Sequence, residues 1–488
     1  MKTNDSYPAG MIYYQQETLP ETAQCLTTGG DARIILNAET GINQYGCRPF
    51  PDPDMLAYGS STASIISNQG YQHADQLRQR LCEALKTESA STIYGYEIKR
   101  IREELILHCE LPETTGVIFS ASGTDIHSLV SRYVGRENKL APRIIMIEAN
   151  ETGKGVNAAL NSSSHHELND VIPVTVRLGS GELRSIKAID YEVEVLVTEA
   201  LATNRRVLII VTDQSKTGLI TPSLTCVLKL HQSFQDKIDV LIDACQFRVA
   251  PPTLRAYLDL GFMVALTGSK FLTGPSFSGA ILFNCALSSE FEAVNKTLET
   301  ANFGLLLRWE AALQELKAFR SIPQEYICTF IQDFTSAVQE RLHDDALFES
   351  LPVPKIDRRA IVVEDSWDQL QTVFPFLLYH TDANRTALSA EETLTVYRQL
   401  SIPINNKLFK IQTHHAAIAS LRCQIGQPVA CGERNGFSIS ALRLCISTRL
   451  IVKAATEENS AQSIIDDALS VLDKIALLIQ LLPVDDAL

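Results

Sequence analysis

IDVLIDACQFRV, residues 238–249, is the stretch on which the fold turns. Its first half is a nearly unbroken apolar run, the pattern of a strand covered on both faces. It ends in an acid, a cysteine, a glutamine and an arginine. Ligands of open α/β sheets sit outside the carboxyl ends of the strands. Asp243 and Gln246 are therefore candidate ligand groups. A buried carboxylate needs a cationic partner or it neutralises itself. A protonated aromatic nitrogen base is such a partner, and an oxygen on the same ring suits the Gln246 amide. A structural N-cap aspartate is the alternative reading.

Working outward, GVIFSAS (116–122), RIIMIEA (143–149), RRVLIIVTD (205–213), MVALTGS (263–269) and GAILFN (279–284) have the same texture. Helical patterns separate them, so a mostly parallel α/β sheet flanked by helices is expected. Two amphipathic helices precede the sheet, with Leu77, Leu81 and Leu85 on one face and Ile98, Ile101 and Leu105 on the other's. After residue 300, FGLLLRWEAALQELKAF predicts a long helix. The end of the chain predicts another, with Ile464, Ile465, Leu469, Leu472 and Leu478 at helical spacing. The domains expected are an arm over 1–70 that packs with the C-terminal part, a large domain over 71–305 and a smaller α+β domain over 306–488.

Further stretches carry chemistry. In IFSASGTDIHSLV a strand runs through Ser122, Gly123 and Thr124 into a helix. Free N–H groups and the helix dipole favour a phosphate there, and a plain N-cap by Ser122 or Thr124 is the alternative. In VALTGSKFLTGPSFSGAILF, Lys270 follows an apolar strand directly, beside Thr267, Gly268 and Ser269. Desolvation makes a lysine nucleophilic toward carbonyls, although most lysines are solvated surface residues. VTDQSKTGLITPS is another strand end with a polar loop. In ALRLCISTRL, Arg443 and Arg449 interrupt a strand-like run, suited to a bidentate carboxylate contact or an ordinary ion pair.

Taken in order, SGTD, DQSKTGLITP, DACQ and TGSKF-LTGP-FSG resemble fold-type I pyridoxal-phosphate (PLP) enzymes, in the class V aminotransferase and cysteine desulfurase branch. The resemblance spans residues 55–455. It implies the fold-type I architecture, a mostly parallel seven-stranded-type sheet with a smaller C-terminal α+β domain. It implies pyridoxal 5′-phosphate as cofactor, with Lys270 as the Schiff-base lysine and Asp243 paired with the pyridine nitrogen. Gln246 would contact the ring phenolic oxygen, and Ser215 stands where the family often has an asparagine near that oxygen. Ser122, Gly123, Thr124 and Ser269 would line the phosphate site, and Arg443 would hold the substrate α-carboxylate. The chemistry implied is action on an amino acid through a Schiff base and quinonoid, most readily as an aminotransferase. A cysteine desulfurase or C–S lyase, with Cys431 as the thiol to consider, and a PLP-binding protein without catalysis are the alternatives. A homodimer with the active site at its interface is implied as well, the LTGPSFSG loop reaching the partner's phosphate.

Two departures stand out. Where the family stacks an aromatic or histidine on the ring, this chain offers Asn150, Glu151 or Thr152. The arm YGCRPFPDPDMLAYGSSTASIIS matches no standard branch. It offers Tyr58, Ser60, Ser61 and Thr62 to the substrate pocket, or it only braces a dimer.

Composition excludes other classes. The chain of 488 residues is 45% hydrophobic and 20% charged with net charge −14, and no basic run marks it for nucleic acid. No apolar run is long enough for a membrane, and the opening residues lack the apolar core of a secretory signal. Eleven cysteines without a CxxC pair point to a reducing cytoplasm rather than a disulfide scaffold. The adjacent pairs His165–His166 and His414–His415 point apart on any regular element, and no metal site is expected.

Overall fold

The computed structural model describes residues 18–30, 32–60, 62, 64–136, 140–161, 169–295, 301–382, 384–404 and 415–482. Ser61, His165, His166 and His414 lie outside these residues. Strand β1 (Met55–Tyr58) comes from the N-terminal segment. Strands β2 (Gly116–Ser120), β3 (Arg143–Ile147), β4 (Asp170–Val174), β5 (Val207–Asp213), β6 (Ile220–Thr221), β7 (Ile238–Asp243), β8 (Met263–Thr267) and β9 (Gly279–Phe283) follow. They form one sheet in the order β2-β9-β8-β7-β5-β3-β4, with the two-residue β6 paired to β5. From β8 through β4 the pairings on this path are parallel, and β9 runs antiparallel to both β8 and β2.

All six predicted strands are present. The continuous apolar runs do cover both faces: β5 is buried at every position, and β7 at all but Asp239. Strand β4 was not expected from the sequence. It is the short DVIPV with Pro173 inside, and it lies at the sheet edge, where a missing N–H is tolerated. The register pairs Thr212 with Asp243 and Asp243 with Ala265. The ends of β5, β7 and β8 therefore open at one level.

The smaller sheet contains β10 (Phe348–Ser350), β11 (Val373–Leu378), β12 (Arg422–Arg434) and β13 (Phe437–Cys445), in the order β1-β12-β13-β11-β10. Its helices Gln324–Asp344 and Ser460–Gln480 share one apolar core with it, including Phe334, Phe376, Leu442, Ile464 and Leu472. Helices Asn68–Ala84, Ala90–His108 and Phe303–Arg320 share the core of the larger sheet through Leu77, Leu81, Ile101, Leu105 and Trp309. The last of these helices crosses the junction, with Leu316 in one core and Phe319 in the other.

The N-terminal segment divides. Met55–Tyr58 pairs in parallel with β12. The stretch near residue 28 is held by Arg308, which is fully buried and donates to the carbonyls of Leu26 (3.2 Å) and Gly29 (3.2 Å) and to that of Phe277 (2.8 Å). The strand expected over ALRLCISTRL stops at Cys445, and a helix runs over Thr448–Thr456. Arg449 sits on that helix, pairs with Glu315 at 2.9 Å and donates to the carbonyls of Ile65 and Thr273. It is a structural ion pair.

A second buried arginine ties the two cores together beside the strand ends. Arg358 Nε donates to Asp213 Oδ2 at 3.0 Å, and the Tyr257 hydroxyl donates to the same oxygen at 2.7 Å. Asp368 accepts from the Ala250 N–H (2.8 Å) and Thr253 Oγ1 (2.7 Å), closing the start of helix Pro251–Asp259. No described helix is long and apolar enough to cross a membrane.

Candidate active site

Two adjoining recesses open at the carboxyl ends of β5, β7 and β8. One is lined by Ser60, Ser215, Asp243, Gln246, Lys270 and Arg443 among others. The second takes in Ser122, Gly123, Thr124, Ser269 and, again, Asp243 and Lys270. Residues separated by more than 380 positions in sequence thus face one space. Sheet order explains this: β7 lies between β5 and β8, so its terminal aspartate is flanked by both neighbouring loops.

The backbone here is strained in a consistent way. Gln214, Phe247, Lys270, Thr273 and Phe277 all have φ between 58° and 71°. Each left-handed non-glycine residue costs about 1–3 kcal/mol, and such residues gather at functional sites. Lys270 itself is one of them, just beyond β8.

Asp243 is buried at the base. Its Oδ1 accepts the Cys245 N–H at 3.2 Å, and its Oδ2 faces His127 Nε2 at 3.4 Å. His127 Nδ1 lies 2.7 Å from the Gly123 carbonyl. That carbonyl can only accept, so Nδ1 carries a proton and Nε2 is the nitrogen presented to the carboxylate. Burial pushes the Asp243 carboxyl up, but His127, the Lys270 charge and the Cys245 N–H pull it down further, to well below the usual carboxylate range.

Ser60 donates to Gln246 Oε1 at 2.7 Å. The Gln246 carbonyl oxygen is thereby engaged, and its NH2 is left as the group to present. Ser122 is the N-cap of helix Gly123–Gly135: its Oγ accepts from the Asp125 N–H (3.3 Å) and donates to Asp125 Oδ2 (2.8 Å). The hydroxyl therefore serves the helix. The N–H groups of Gly123 and Thr124 belong to the first turn, which has no intrahelical acceptor for them. Gly123 packs close, since a Cβ there would lie 3.0 Å from Cys245 Sγ. Ser269 Oγ is 3.5 Å from Thr267 Oγ1.

Arg443 is buried on β13 beside Gly426 of β12. It donates to the carbonyls of Lys216 (3.1 Å) and Gln427 (2.9 Å), and its Nε has no partner. Ser215 does not present its hydroxyl to the recess. It donates to Glu151 Oε2 at 2.6 Å, and Glu151 also takes Thr217 Oγ1 (2.8 Å), the Thr217 N–H (3.2 Å) and Arg177 Nε (3.1 Å). Of the three residues offered in place of the family's stacking aromatic, Asn150 is exposed, Glu151 is turned into this network, and Thr152 lines the recess with a buried, unpartnered Oγ1.

Tyr58 is not brought to the recess. It is buried in the smaller core, and its hydroxyl donates to the Ile464 carbonyl at 2.6 Å. Cys431 lies on β12, with Sγ 3.3 Å from the Val429 carbonyl, and burial pushes its thiol up. Residues that the sequence did not single out also line the recesses, among them Arg33, His127, Lys216 and Thr212. His127 is one turn into the helix whose start was quoted for its glycine, so helical spacing from Gly123 would have found it. Lys216 stands inside the quoted DQSKTG. Arg33 had no local signal.

Atoms without partners test what the recess lacks. Among the described residues Thr152 Oγ1, Thr212 Oγ1 and Arg443 Nε are buried without a hydrogen-bond partner, and all three belong to residues lining the recess. Buried polar groups are rarely left so. A polar ring with an anionic tail suits them.

No protein-family model matches the chain, and no curated protein does. Solved structures match in fold. A cystine C–S lyase, in complex with its product cysteine persulfide, has 12% identity and a TM-score of 0.55 over 86% of this chain and 98% of its own. The glutamate decarboxylase domain of a diaminobutyrate-pyruvate transaminase and L-2,4-diaminobutyrate decarboxylase from Vibrio parahaemolyticus has 13% identity and a TM-score of 0.54, over 88% and 81%. The cysteine desulfurase CsdA from Escherichia coli has 14% identity and a TM-score of 0.50, over 87% and 95%. The chain has the fold-type I architecture, as its motifs implied.

Proposed function

We propose that the protein is a pyridoxal-phosphate-dependent enzyme acting on an amino acid, aminotransferase-like in its chemistry. The observation that carries this is the meeting of Lys270 and Asp243 from neighbouring strand ends in one recess lined with unpartnered polar atoms. Pyridoxal 5′-phosphate is the cofactor expected of this fold. Asp243 would hold its ring nitrogen and the Gln246 amide its phenolic oxygen. The helix start at Gly123 and Thr124, with Ser269 and Arg33, would hold its phosphate. When bound, the cofactor supplies an electron sink for negative charge at the substrate α-carbon.

The chain's own groups do the rest. His127 and Lys270 beside it and the Cys245 N–H hold Asp243 ionised, as a cationic ring nitrogen requires. Lys270 carries the amine that takes and returns a proton at the α-carbon. Arg443, fixed by two carbonyls, orients the substrate carboxylate. Thr152 and the Glu151 network line the recess and would stand where the family has an aromatic. We include in this reading a homodimer and a reducing cytoplasm; all eleven cysteines are free thiols.

A persulfide-forming desulfurase fits less well. It needs a thiolate, and burial pushes both Cys431 and the recess-lining Cys245 thiols up. The presence of Lys270, Asp243 and Arg443 argues against a binding protein without catalysis. The test is product analysis of the cofactor-loaded protein with amino acids, with and without a 2-oxo acid. Amino-group exchange dependent on the oxo acid supports the reading. Sulfide or ammonia release without it overturns the aminotransferase assignment.

A further inference from the structure

Lys216 is an unassigned ammonium in the recess. Its backbone is fixed: its N–H donates to the Glu151 carbonyl at 2.9 Å, and the side chains on either side, Ser215 and Thr217, are bonded to the Glu151 carboxylate. Its Nζ donates to the carbonyls of Ala149 and Asn150, both at 3.1 Å. An ammonium has three donors. Among the described residues no acceptor is present for the third, and no carboxylate lies within ion-pair distance. Burial first, then the nearby Arg443 charge, pulls its pKa down to about 8, as expected of a cation short of an anion.

Charges around the recess single it out. The lining cations are Lys216, Lys270 and Arg443, and the lining acids are Asp243 and Glu151. Glu151 is paired with the buried Arg177. On the reading above, Asp243 faces the ring nitrogen and Lys270 is the cofactor's attachment point. Two cations remain, Arg443 and Lys216, and no acid remains for them. An amino acid's α-carboxylate satisfies one. Arg443 is buried and Lys216 half-buried, and a charge drawn out of water without a partner is costly, so a second anion is called for. Among the described residues lining this recess none is aromatic or a branched aliphatic; Val156 and Phe277 line the adjoining one, at the helix start.

We propose that Lys216 binds the side-chain carboxylate of the substrate, and that the substrate is an acidic amino acid. This rests on the reading of the recess as an amino-acid site. The opposing view is that Lys216 only ties down the turn at 149–150.

The experiment is spectroscopic. The full chain loaded with pyridoxal phosphate is titrated with aspartate and glutamate and with their amides, asparagine and glutamine, following the cofactor absorbance. A charge-assisted contact predicts half-saturation about tenfold or more lower for the acids. In Lys216→Met that preference should fall to about twofold, and Lys216→Arg should retain most of it. The cofactor band in both variants reports that the site is folded. Equal or tighter binding of the amides, an unchanged preference in Lys216→Met, or no response to any acidic amino acid overturns the proposal while leaving the cofactor assignment standing. Absence of any cofactor band in the wild type overturns the site reading itself, and this inference with it.

Discussion

Glu151→Gln is the sharpest probe of how this site is held. The carboxylate collects Arg177 Nε, Ser215 Oγ, Thr217 Oγ1 and the Thr217 N–H, at 2.6–3.2 Å, and it is 1% exposed. A glutamine keeps the shape but places an NH2 among donors and removes the charge that Arg177 faces. Arg177 retains only the Gly181 carbonyl (3.2 Å) and Thr217 Oγ1 (3.1 Å). Removing one member of a buried pair costs about 3–5 kcal/mol. The loss should appear as a lower urea midpoint and as faster amide exchange over residues 149–153 and 215–219. Arg177→Met in the Glu151→Gln background should recover about 1–3 kcal/mol, because the uncompensated charge is gone. A single variant within about 0.5 kcal/mol of wild type, or strict additivity in the double variant, would refute the view that this pair locks the turn carrying Ser215 and Lys216.

Other outcomes follow from the same geometry. Arg33, which packs over Phe277 at 5.1 Å and lines the recess at the helix start, should support the phosphate. Arg33→Met should weaken pyridoxal phosphate binding about tenfold while leaving affinity for non-phosphorylated pyridoxal unchanged, by absorbance titration. Gly426→Ala puts a Cβ 3.0 Å from the Arg443 guanidinium. The arginine must shift, so KM for the amino acid should rise about fivefold to tenfold with little change in cofactor affinity. Lys216 faces Arg443, Glu151, Lys270 and Lys154, and its pKa is lowered to about 8. It is charged below that value and neutral above it, so affinity for an acidic amino acid should fall as pH rises through about 8, and Lys216→Arg should abolish that fall.

Much of this architecture was legible because its signals are local. The strand runs are continuous and apolar, and sheet order then places their polar ends together. Strand β4 escaped because five residues with an internal proline carry little pattern. Tyr58 was misjudged because its partner, the Ile464 carbonyl, lies 406 residues away. Ser215 stands where a ring-facing hydroxyl is expected, yet Glu151, 64 residues earlier, takes it. Arg449 looked like part of a strand because the turn at Ser447, which opens a helix, is hidden in a sequence that stays apolar. Arg33 reaches the helix start from a segment with no motif of its own. In each case the deciding partner is remote in sequence.

The central claim is that Lys270 carries the cofactor just beyond the carboxyl end of β8. Borohydride reduction of the pyridoxal-phosphate-loaded protein, followed by peptide mass analysis, tests it most directly. The reading predicts one reduced pyridoxyl-phosphate group per chain, on Lys270, and none in Lys270→Ala. Attachment at Lys216 or elsewhere in the wild type, or an unchanged visible band in Lys270→Ala, would contradict it.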